Sequence, residues 1–362
     1  KHRPDVYAKL ATILLPHDYV NFWLTGQRWM EYGDASGTGW LDVRTRTWSR
    51  EMLAATDADT NLADFLPPLV EADASFAIAS SIADELGLPH GVIVAAGGGD
   101  NMMAAIGTGN VAPGVLTMSL GTSGTLFACA DFPVVDDNAG WAAFCSSTGG
   151  WLPLICTMNC TVATENVAKL FGFSSRDGET VLEGTKPGAD GLVMLPFFNG
   201  ERTPNLPDAR ASLHGIDMAN FTRGNVYRAA MEGATYALRN GFDALRAAGM
   251  AFDSIRLTGG GSHSATWRQM VADVFDLPVQ VPQQAEGAAF GGALQALWAF
   301  ERANGKGTAI ADIAREHVSV DASTAAKPDA DAVAAYATHY KAFLEFLDTA
   351  QTLYAPHPHT AR

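Results

Sequence analysis

The chain has 362 residues, which is too long for one ordinary hydrophobic core and favours two domains. Hydrophobic residues make up 48% of the chain and charged residues 17%, a composition typical of a soluble globular protein. The formal net charge is −15 and no run of lysines or arginines occurs, which argues against nucleic acid or a membrane surface as a partner. A phosphate ligand is still allowed, because backbone N–H groups can hold phosphate.

The cysteine content indicates a reducing environment. The chain has four cysteines, none of them in a CxxC pair or in a cluster with zinc-ligand spacing. This is not the density of a disulfide scaffold, so we expect a cytoplasmic setting. No apolar run approaches the length of a membrane span, and the first residues lack the apolar core of a signal peptide.

The first third of the chain predicts two helical segments and one strand. Residues 5–30 and 75–86 carry helical patterns, whereas residues 31–48 are polar and glycine-rich and predict irregular or short-stranded structure. The continuous apolar run at residues 90–96 predicts a central strand buried on both faces. That strand leads directly into residues 97–101, with the sequence Gly-Gly-Gly-Asp-Asn.

The rest of the chain alternates strands with longer helices. Strands are expected at residues 115–120, 125–129 and 254–258. Helices are expected at residues 156–171, 225–248, 264–275, 287–303 and 331–354. Residues 319–329, rich in Ala, Asp and Pro, predict a surface linker.

The first motif is the triple glycine followed by Asp100 and Asn101. Glycines allow a sharp turn and a close approach to the backbone, and a carboxylate after a buried strand lies where open α/β sheets place ligands. The alternative is a helix cap, in which Asp100 or Asn101 bonds first-turn N–H groups. The motif alone leaves both interpretations open.

The second motif, residues 120–124, joins two predicted strands. Gly121, Thr122 and Ser123 would present N–H and hydroxyl groups to one point, which suits an anion. A plain hairpin turn is the alternative and is the stronger interpretation from this motif alone.

The third motif, residues 257–262, has the order strand, glycine-rich turn, helix. Gly259, Gly260 and Gly261 let a nucleotide lie close to the backbone, and the following helix N-terminus favours phosphate. A Rossmann dinucleotide site is the rival, but the Gly-x-Gly-x-x-Gly spacing is not met and no Walker lysine follows.

A fourth motif, residues 199–204, contains a Glu-Arg pair in a glycine- and proline-containing loop. Glu201 and Arg202 form either a weak surface ion pair or a brace beside a cleft, and we favour the brace. The nine histidines form no catalytic grouping, and no Gly-x-Ser-x-Gly motif is present.

Taken in order, these motifs resemble the FGGY family of carbohydrate kinases. Residues 213–216, followed after eight residues by 225–232, are similar to the family's long C-terminal signature. Residues 118–124 are similar to its second phosphate motif and residues 259–262 to its adenosine motif. The resemblance runs from about residue 14 to about residue 303.

Three details resemble the xylulose kinases within this family, namely residues 36–43, 97–101 and 200–204. One feature departs from the family pattern, because the Asp-x-Gly-Thr strand with which members begin is not found here. We therefore expect residue 1 to correspond to the middle of the first domain. Residues 1–362 taken alone are expected to be an incomplete and inactive kinase.

The resemblance implies an α/β protein with the two-domain ribonuclease H-like fold of hexokinase and actin, with a cleft between domains and an incomplete first domain. Residues 1–109 would be the C-terminal part of the sugar-binding domain and residues 110–362 the ATP-binding domain. The last helix is expected to cross back to the first domain.

The implied reaction transfers phosphate from ATP, with Mg²⁺, to D-xylulose to give D-xylulose 5-phosphate. Asp100 would be the base and Asn101 would bind a sugar hydroxyl. The 121–123 turn would hold the terminal phosphates and the 259–261 turn would lie against the nucleoside. The metal ligands are unknown, and the oligomeric state is open, with a homodimer as one alternative.

Two rival functions remain at this stage. Another activity of the family, such as phosphorylation of ribulose, glycerol or gluconate, would share every motif. A non-catalytic actin-like protein that binds nucleotide or sugar would use the same cleft. Asp100 counts against the second, because a protein that only binds needs no base.

Overall fold

The computed structural model describes residues 2–136 and 140–354. The helices, numbered α1 to α13 in chain order, are Pro4–Tyr7, Pro16–Thr25, Tyr32–Ser36, Arg50–Thr56, Ser80–Leu86, Asp100–Gly107, Thr161–Leu170, Gly178–Leu182, Arg223–Ala247, Ala265–Phe275, Gly287–Ala303, Ile310–His317 and Ala330–Leu353. The strands, β1 to β14, are Met30–Glu31, Leu41–Asp42, Thr47–Trp48, Leu69–Val70, Ser75–Ala77, Ile93–Ala95, Gly114–Leu120, Gly124–Ala128, Leu154–Thr157, Val193–Leu195, Ser212–His214, Phe252–Thr258, Val279–Pro282 and Val320–Ala326.

The second region of the molecule begins at β7. A six-stranded mixed sheet forms its centre. Its strand order is β14-β13-β12-β7-β8-β9. Strands β7, β12 and β13 run parallel to one another, whereas β8, β9 and β14 pair antiparallel with their neighbours. The alternation of short apolar strands with long helices in the sequence produces this arrangement, because each parallel connection needs a crossover helix.

Helix α9 supplies much of the core against this sheet. It begins at Thr222, whose hydroxyl accepts the Asn225 N–H, and nearly every residue from Gly224 to Leu238 is buried. Helices α10 and α13 pack against α9, and their buried side chains join those of β7, β8, β9 and β12 in one cluster. The predicted helices at 225–248, 264–275, 287–303 and 331–354 are confirmed.

The first region, which comprises the elements before β7, is built from short helices and strands. Its strands form two-stranded sheets, β1 with β4, β2 with β3 and β5 with β6. The short strands predicted within residues 31–48 are confirmed, although helix α3 was missed. The helix expected over 5–30 is reduced to α1 and α2, and the one expected over 75–86 is reduced to α5 because β5 occupies its beginning.

The central strand predicted at residues 90–96 is wrong in its extent and setting. Strand β6 covers only Ile93–Ala95, pairs with β5 among the described residues, and is half-buried. Helices α2 and α11 contact it. Its apolar residues therefore meet helices, and an apolar run alone does not distinguish that setting from the middle of a sheet.

Helix α11 joins the two regions by packing closely on α6. Gly107 of α6 lies against the Gly287 carbonyl, and Gly291 of α11 lies against the Met103 carbonyl, so neither glycine has room for a Cβ atom. The expectation that the last helix crosses back to the first domain is wrong. Helix α13 packs on α9, α10 and β10, because its apolar face completes the core of the six-stranded sheet.

Two further predictions change in the structure. The linker expected at residues 319–329 contains β14, an edge strand that pairs with β13. Its polar, alanine-rich sequence suits an exposed edge and hides the strand from a search for apolar alternation. The helix expected over 156–171 is α7, preceded by β9. Among the described residues, no helix is both long enough and apolar enough to cross a bilayer.

Candidate active site

The two glycine-rich turns of the second region lie side by side at the carboxyl ends of two central strands of the sheet. Strands β7 and β12 are parallel neighbours, with Ser119 opposite Thr258, so the turns that follow them emerge together. Gly259 has φ +80°, and a Cβ atom there would lie 2.7 Å from the Leu120 carbonyl carbon. The close approach of these turns therefore requires glycine at position 259.

The carbonyl groups of the 121–123 turn are hydrogen-bonded to the start of α7, whereas its side chains are exposed. The carbonyl of Gly121 accepts the Thr161 N–H at 2.9 Å, and that of Thr122 accepts the Cys160 N–H at 3.0 Å. Thr122 and Ser123 are exposed, and in the part of the chain that the structure describes their hydroxyls have no hydrogen-bond partner. The turn is the hairpin connection between β7 and β8 and also presents free hydroxyl donors, so the two interpretations of this motif are compatible.

A pocket of about 350 Å³ opens beside the 259–261 turn. Aromatic rings, small hydroxyl residues and glycines line much of it, including Thr161, Tyr227, Gly260, Gly261, Ser264 and Trp267. Ionisable residues also line it, namely Glu165, Arg176, Glu179 and His263. A pocket of mixed polarity next to a strand-end glycine turn and a helix N-terminus suits a nucleoside.

One edge of this pocket is fixed by Glu179 of α8. Its carboxylate accepts hydrogen bonds from the hydroxyls of Ser264 and Thr266, each at 2.6 Å, at the beginning of α10. These bonds hold the pKa of Glu179 below its usual value, because they outweigh the opposing effect of burial. Glu179 was not predicted to lie at this pocket, because it is 85 residues from Ser264 in the sequence and no local pattern connects the two.

Asp100 is the first residue of α6 and is exposed. The N-cap is Gly99, so Asp100 does not occupy the cap position itself. Its Oδ1 atom accepts the Asn101 N–H at 2.7 Å and the Asn101 side-chain amide at 2.9 Å. The helix has no side-chain cap hydrogen bond, so the cap interpretation is wrong, and the Asp100 carboxylate bonds only the adjacent Asn101 among the described residues and faces solvent.

The triple glycine before Asp100 passes over a cluster of polar side chains. A Cβ atom at Gly97 would lie 2.8 Å from His17 Cδ2, and one at Gly98 would lie 2.5 Å from Ser147 Oγ. At Gly99 a Cβ atom would lie 3.2 Å from an oxygen of Asp34. All three glycines therefore have a steric reason in addition to the turn itself.

The imidazole of His17 is the centre of that cluster. Its Nδ1 atom lies 2.5 Å from Asp34 Oδ2, and its Nε2 atom lies 3.1 Å from Asp18 Oδ1. Burial alone would lower the pKa of His17, but Asp34, Asp18 and Glu31 outweigh it and raise that pKa. The sequence reasoning saw no catalytic grouping of histidines and missed this cluster, whose members come from separate segments.

Two of the carboxylates around His17, Asp18 and Glu31, are buried, whereas Asp34 is partly exposed. Burial raises the pKa of Asp18 to about 6 and that of Glu31 to about 7. Glu31 accepts the backbone N–H groups of Gly33 and Asp34 at the beginning of α3, and the Ser147 hydroxyl at 3.1 Å.

Asp100 also faces the second region. Met102 and Met103 of α6 pack with Phe127 of β8 and Leu154 of β9. Burial raises the pKa of the Cys156 thiol on β9, Arg202 lowers it, and Glu201 and Asp100 raise it further. Asp100 is thus an electrostatic neighbour of the strand that pairs with β8 beside the 121–123 turn.

Glu201 braces a loop connection, whereas the Arg202 side chain is exposed and, among the described residues, forms no ion pair with it. Glu201 is buried and accepts the N–H groups of Met158 at 2.6 Å and Arg202 at 2.7 Å, together with the Asn159 amide at 3.2 Å. These bonds fix the connection from β9 to α7, whose first N–H groups hold the 121–123 turn. Burial raises the pKa of Glu201, against these hydrogen bonds.

The matches with known families follow the same division of the chain. Residues 116–300 match the C-terminal domain of the FGGY family of carbohydrate kinases, and residues 1–107 match the N-terminal domain of that family. The chain therefore belongs to the FGGY family of carbohydrate kinases. Its fold is the two-domain α/β fold of these sugar kinases and of actin.

The curated relatives narrow this class further. A xylulose kinase of Haemophilus influenzae is 44% identical over 345 residues, which are 95% of this chain and 69% of the relative. A xylulose kinase of Streptomyces coelicolor is 40% identical over 82% of this chain and 59% of its own length. The solved structure described as a xyloylose kinase from Brucella ovis has a TM-score of 0.88 at 31% identity, covering 97% of this chain and 71% of that one. The chain thus spans between about three fifths and seven tenths of these relatives.

Proposed function

We propose that the protein to which this chain belongs phosphorylates D-xylulose with ATP to give D-xylulose 5-phosphate. The observation that carries the proposal is that an exposed carboxylate, Asp100, raises the pKa of Cys156 on β9, the strand that pairs with β8 next to the 121–123 turn. The names of the curated relatives support xylulose as the sugar.

The proposed roles at the sugar follow from position. Asp100 would orient the C5 hydroxyl and take its proton as the bond to phosphorus forms. The Asp100 Oδ1 atom is bonded to Asn101, which leaves Oδ2 for the substrate. Asn101 would hydrogen-bond a second sugar hydroxyl, since an amide both donates and accepts.

The proposed nucleotide site uses the two turns. Gly121, Thr122 and Ser123 would cradle the terminal phosphates through backbone N–H groups and free hydroxyls. Gly259, Gly260 and Gly261 would lie against the nucleoside, which would occupy the adjoining pocket.

We propose that ATP enters as its magnesium complex, in which the ion neutralises phosphate charge. In the described ranges, one group of acidic and histidine side chains has the dimensions of a metal site, namely His17, Asp18 and Asp34. His17 Nδ1 is hydrogen-bonded to Asp34, and Mg²⁺ prefers an all-oxygen ligand set, so this group suits an ion-pair network better than a magnesium site.

The test is phosphorylation by the full-length protein across a panel of sugars. Release of ADP would be followed with D-xylulose, ribulose, glycerol and gluconate, and the product of each active sugar would be identified by mass and NMR. We expect kcat/KM to be highest for D-xylulose. A higher value for another member of the panel would reassign the substrate, and no sugar phosphate at all would overturn the proposal. A cytoplasmic location, a homodimer and a domain division at residues 1–109 and 110–362 remain predictions.

A further inference from the structure

We propose that His17 is a positioning residue for the proposed reaction: held as a cation between Asp18 and Asp34, it supports the 97–99 loop and so sets the orientation of Asp100. This inference rests on the proposed function. His17 does not touch the sugar in this proposal, and it acts through the backbone that carries the base.

The His17–Asp34 ion pair contacts the 97–99 loop directly. His17 Cδ2 lies against Gly97, and Asp34 lies against Gly99, so the ion pair holds both ends of the triple glycine. From the other side, Gln295 of α11 accepts the Gly97 N–H at 3.0 Å and donates to the Gly97 carbonyl at 2.9 Å. A glycine loop is intrinsically mobile, and these contacts are what restrict it.

The charges around His17 favour its cationic form. The carboxylates facing His17 come from its own helix (Asp18), from α3 (Asp34) and from β1 (Glu31). The Asp18 side chain is fully buried, and that of His17 is 22% exposed. The His17 Nδ1 atom is hydrogen-bonded to Asp34, and its Nε2 atom lies 3.1 Å from Asp18 Oδ1 as a charge contact without hydrogen-bond geometry. The carboxylates around the imidazole favour its protonated form.

The pH dependence follows from the pKa values of His17 and of its partners. On the acidic side the ion pair weakens, because the pKa of Asp18 is raised to about 6 and that of Glu31 to about 7, so both carboxylates lose their charge as pH falls. The pKa of His17 in the folded protein is raised above 6.5, so the imidazolium charge is fully present below pH 6.5. That charge is lost as pH rises through the folded pKa. The loop should therefore loosen on the alkaline side.

The kinetic test compares three variants of the full-length protein. His17→Gln removes the charge and should lower kcat for the sugar by about tenfold or more, with the Kd for ATP unchanged. His17→Lys keeps a cation and should restore kcat to within about threefold, without the alkaline decline of the wild type. The matched control is His90→Gln, because His90 also pairs with a carboxylate, Asp84 at 2.6 Å, but both are exposed. That control should behave as wild type.

Equal kcat and pH profiles for wild type and His17→Gln would overturn the inference. So would a loss of kcat in His17→Lys as large as in His17→Gln, because it would point to shape and not to charge.

A second measurement does not depend on turnover or on a variant that folds. When the His17 ring of the wild-type protein is titrated by ¹⁵N-histidine NMR, its midpoint should lie above 6.5, and a midpoint at or below 6.5 would overturn the inference. If the wild type phosphorylates no sugar, the proposed function fails. In that case the NMR titration, with amide exchange at residues 97–101 of the wild type measured below and above the His17 midpoint, still decides whether the ion pair holds the loop.

Discussion

The 259–261 turn and the 97–99 loop are both glycine-rich segments that lead to a helix, yet different structures hold them in place. The 259–261 turn follows β12, and its shape is set by the neighbouring strand β7 and the turn after it. The 97–99 loop follows a short strand with one described partner, and side chains from separate segments restrict it. The first arrangement depends on backbone pairing and the second on buried ionisable groups.

This difference indicates where each part of the site is vulnerable. Turns at the ends of paired strands keep their geometry when single side chains change, because the ladder of backbone hydrogen bonds persists. A loop supported by an ion pair responds to pH and to the loss of one partner, because the remaining buried charge is left uncompensated. We therefore expect changes near the nucleotide turns to affect binding and changes near the 97–99 loop to affect turnover.

The largest expected effect is at Asp100. Asp100→Asn in the full-length protein should lower kcat for sugar phosphorylation by about 10²–10⁴-fold, the range typical of a lost general base. The Kd for ATP should change little, because the nucleotide turns belong to the other region. Steady-state kinetics and ATP titration measure the two quantities.

Asp59 provides the control for that variant. It is exposed and lies between α4 and the following 3-10 turn. Asp59→Asn should leave kcat unchanged. A kcat of Asp100→Asn within about tenfold of wild type would remove Asp100 from the catalytic role.

The second prediction tests the nucleotide turns. A Cβ atom at Gly260 would have no heavy atom within 4 Å, although this glycine lines the pocket beside the turn. Gly260→Phe should therefore fill the pocket without disturbing the sheet, and raise the Kd for ATP by about tenfold to a hundredfold. Sugar affinity should not change.

The matched control is Gly307→Phe, at a glycine that also has open space but lies between α11 and α12. It should bind ATP as wild type does. If Gly260→Phe instead lost sugar affinity and kept ATP affinity, the two binding sites would be assigned the wrong way round.

The sequence predicted the strands that precede the 121–123 and 259–261 turns well, for a physical reason. Strands at 115–120 and 254–258 are marked by local apolar residues and end at glycines, and parallel neighbours bring their ends together. Strand β14 was missed because an edge strand needs no apolar alternation.

The cluster beneath the 97–99 loop could not be predicted in the same way. Its members occur at positions 17, 18, 31, 34 and 147, and no local pattern connects them. The available signals were the His-Asp pair at positions 17 and 18, in a segment that resembles the family, and the unusual triple glycine. Contact between these segments depends on the packing of α2, α3 and the loop, which propensity and periodicity do not report.

The third prediction tests the steric fit of the 97–99 loop. A Cβ atom at Gly98 would lie 2.5 Å from Ser147 Oγ, so Gly98→Ala should displace the loop. We expect kcat to fall severalfold and the free energy of unfolding to fall by about 1–2 kcal/mol. Ser147→Gly should restore part of both losses by making room, measured as a coupling in a double-mutant cycle. Strictly additive effects would show that the contact does not restrict the loop.

The smallest expected effect measures the electrostatic link between the two regions. Cys156 is half-buried, whereas the other three cysteines are buried, so alkylation should report mainly on Cys156. Because the Asp100 carboxylate raises the Cys156 pKa, Asp100→Asn should increase the thiolate fraction and speed alkylation by roughly twofold. Arg202 lowers that pKa, so Arg202→Gln should slow alkylation. Peptide mass spectrometry at fixed pH measures both rates, with Asp59→Asn as the unchanged control. If Asp100→Asn slowed alkylation, or if both variants reacted as wild type does, Asp100 would not lie close enough to β9 to act on a phosphoryl group at the 121–123 turn.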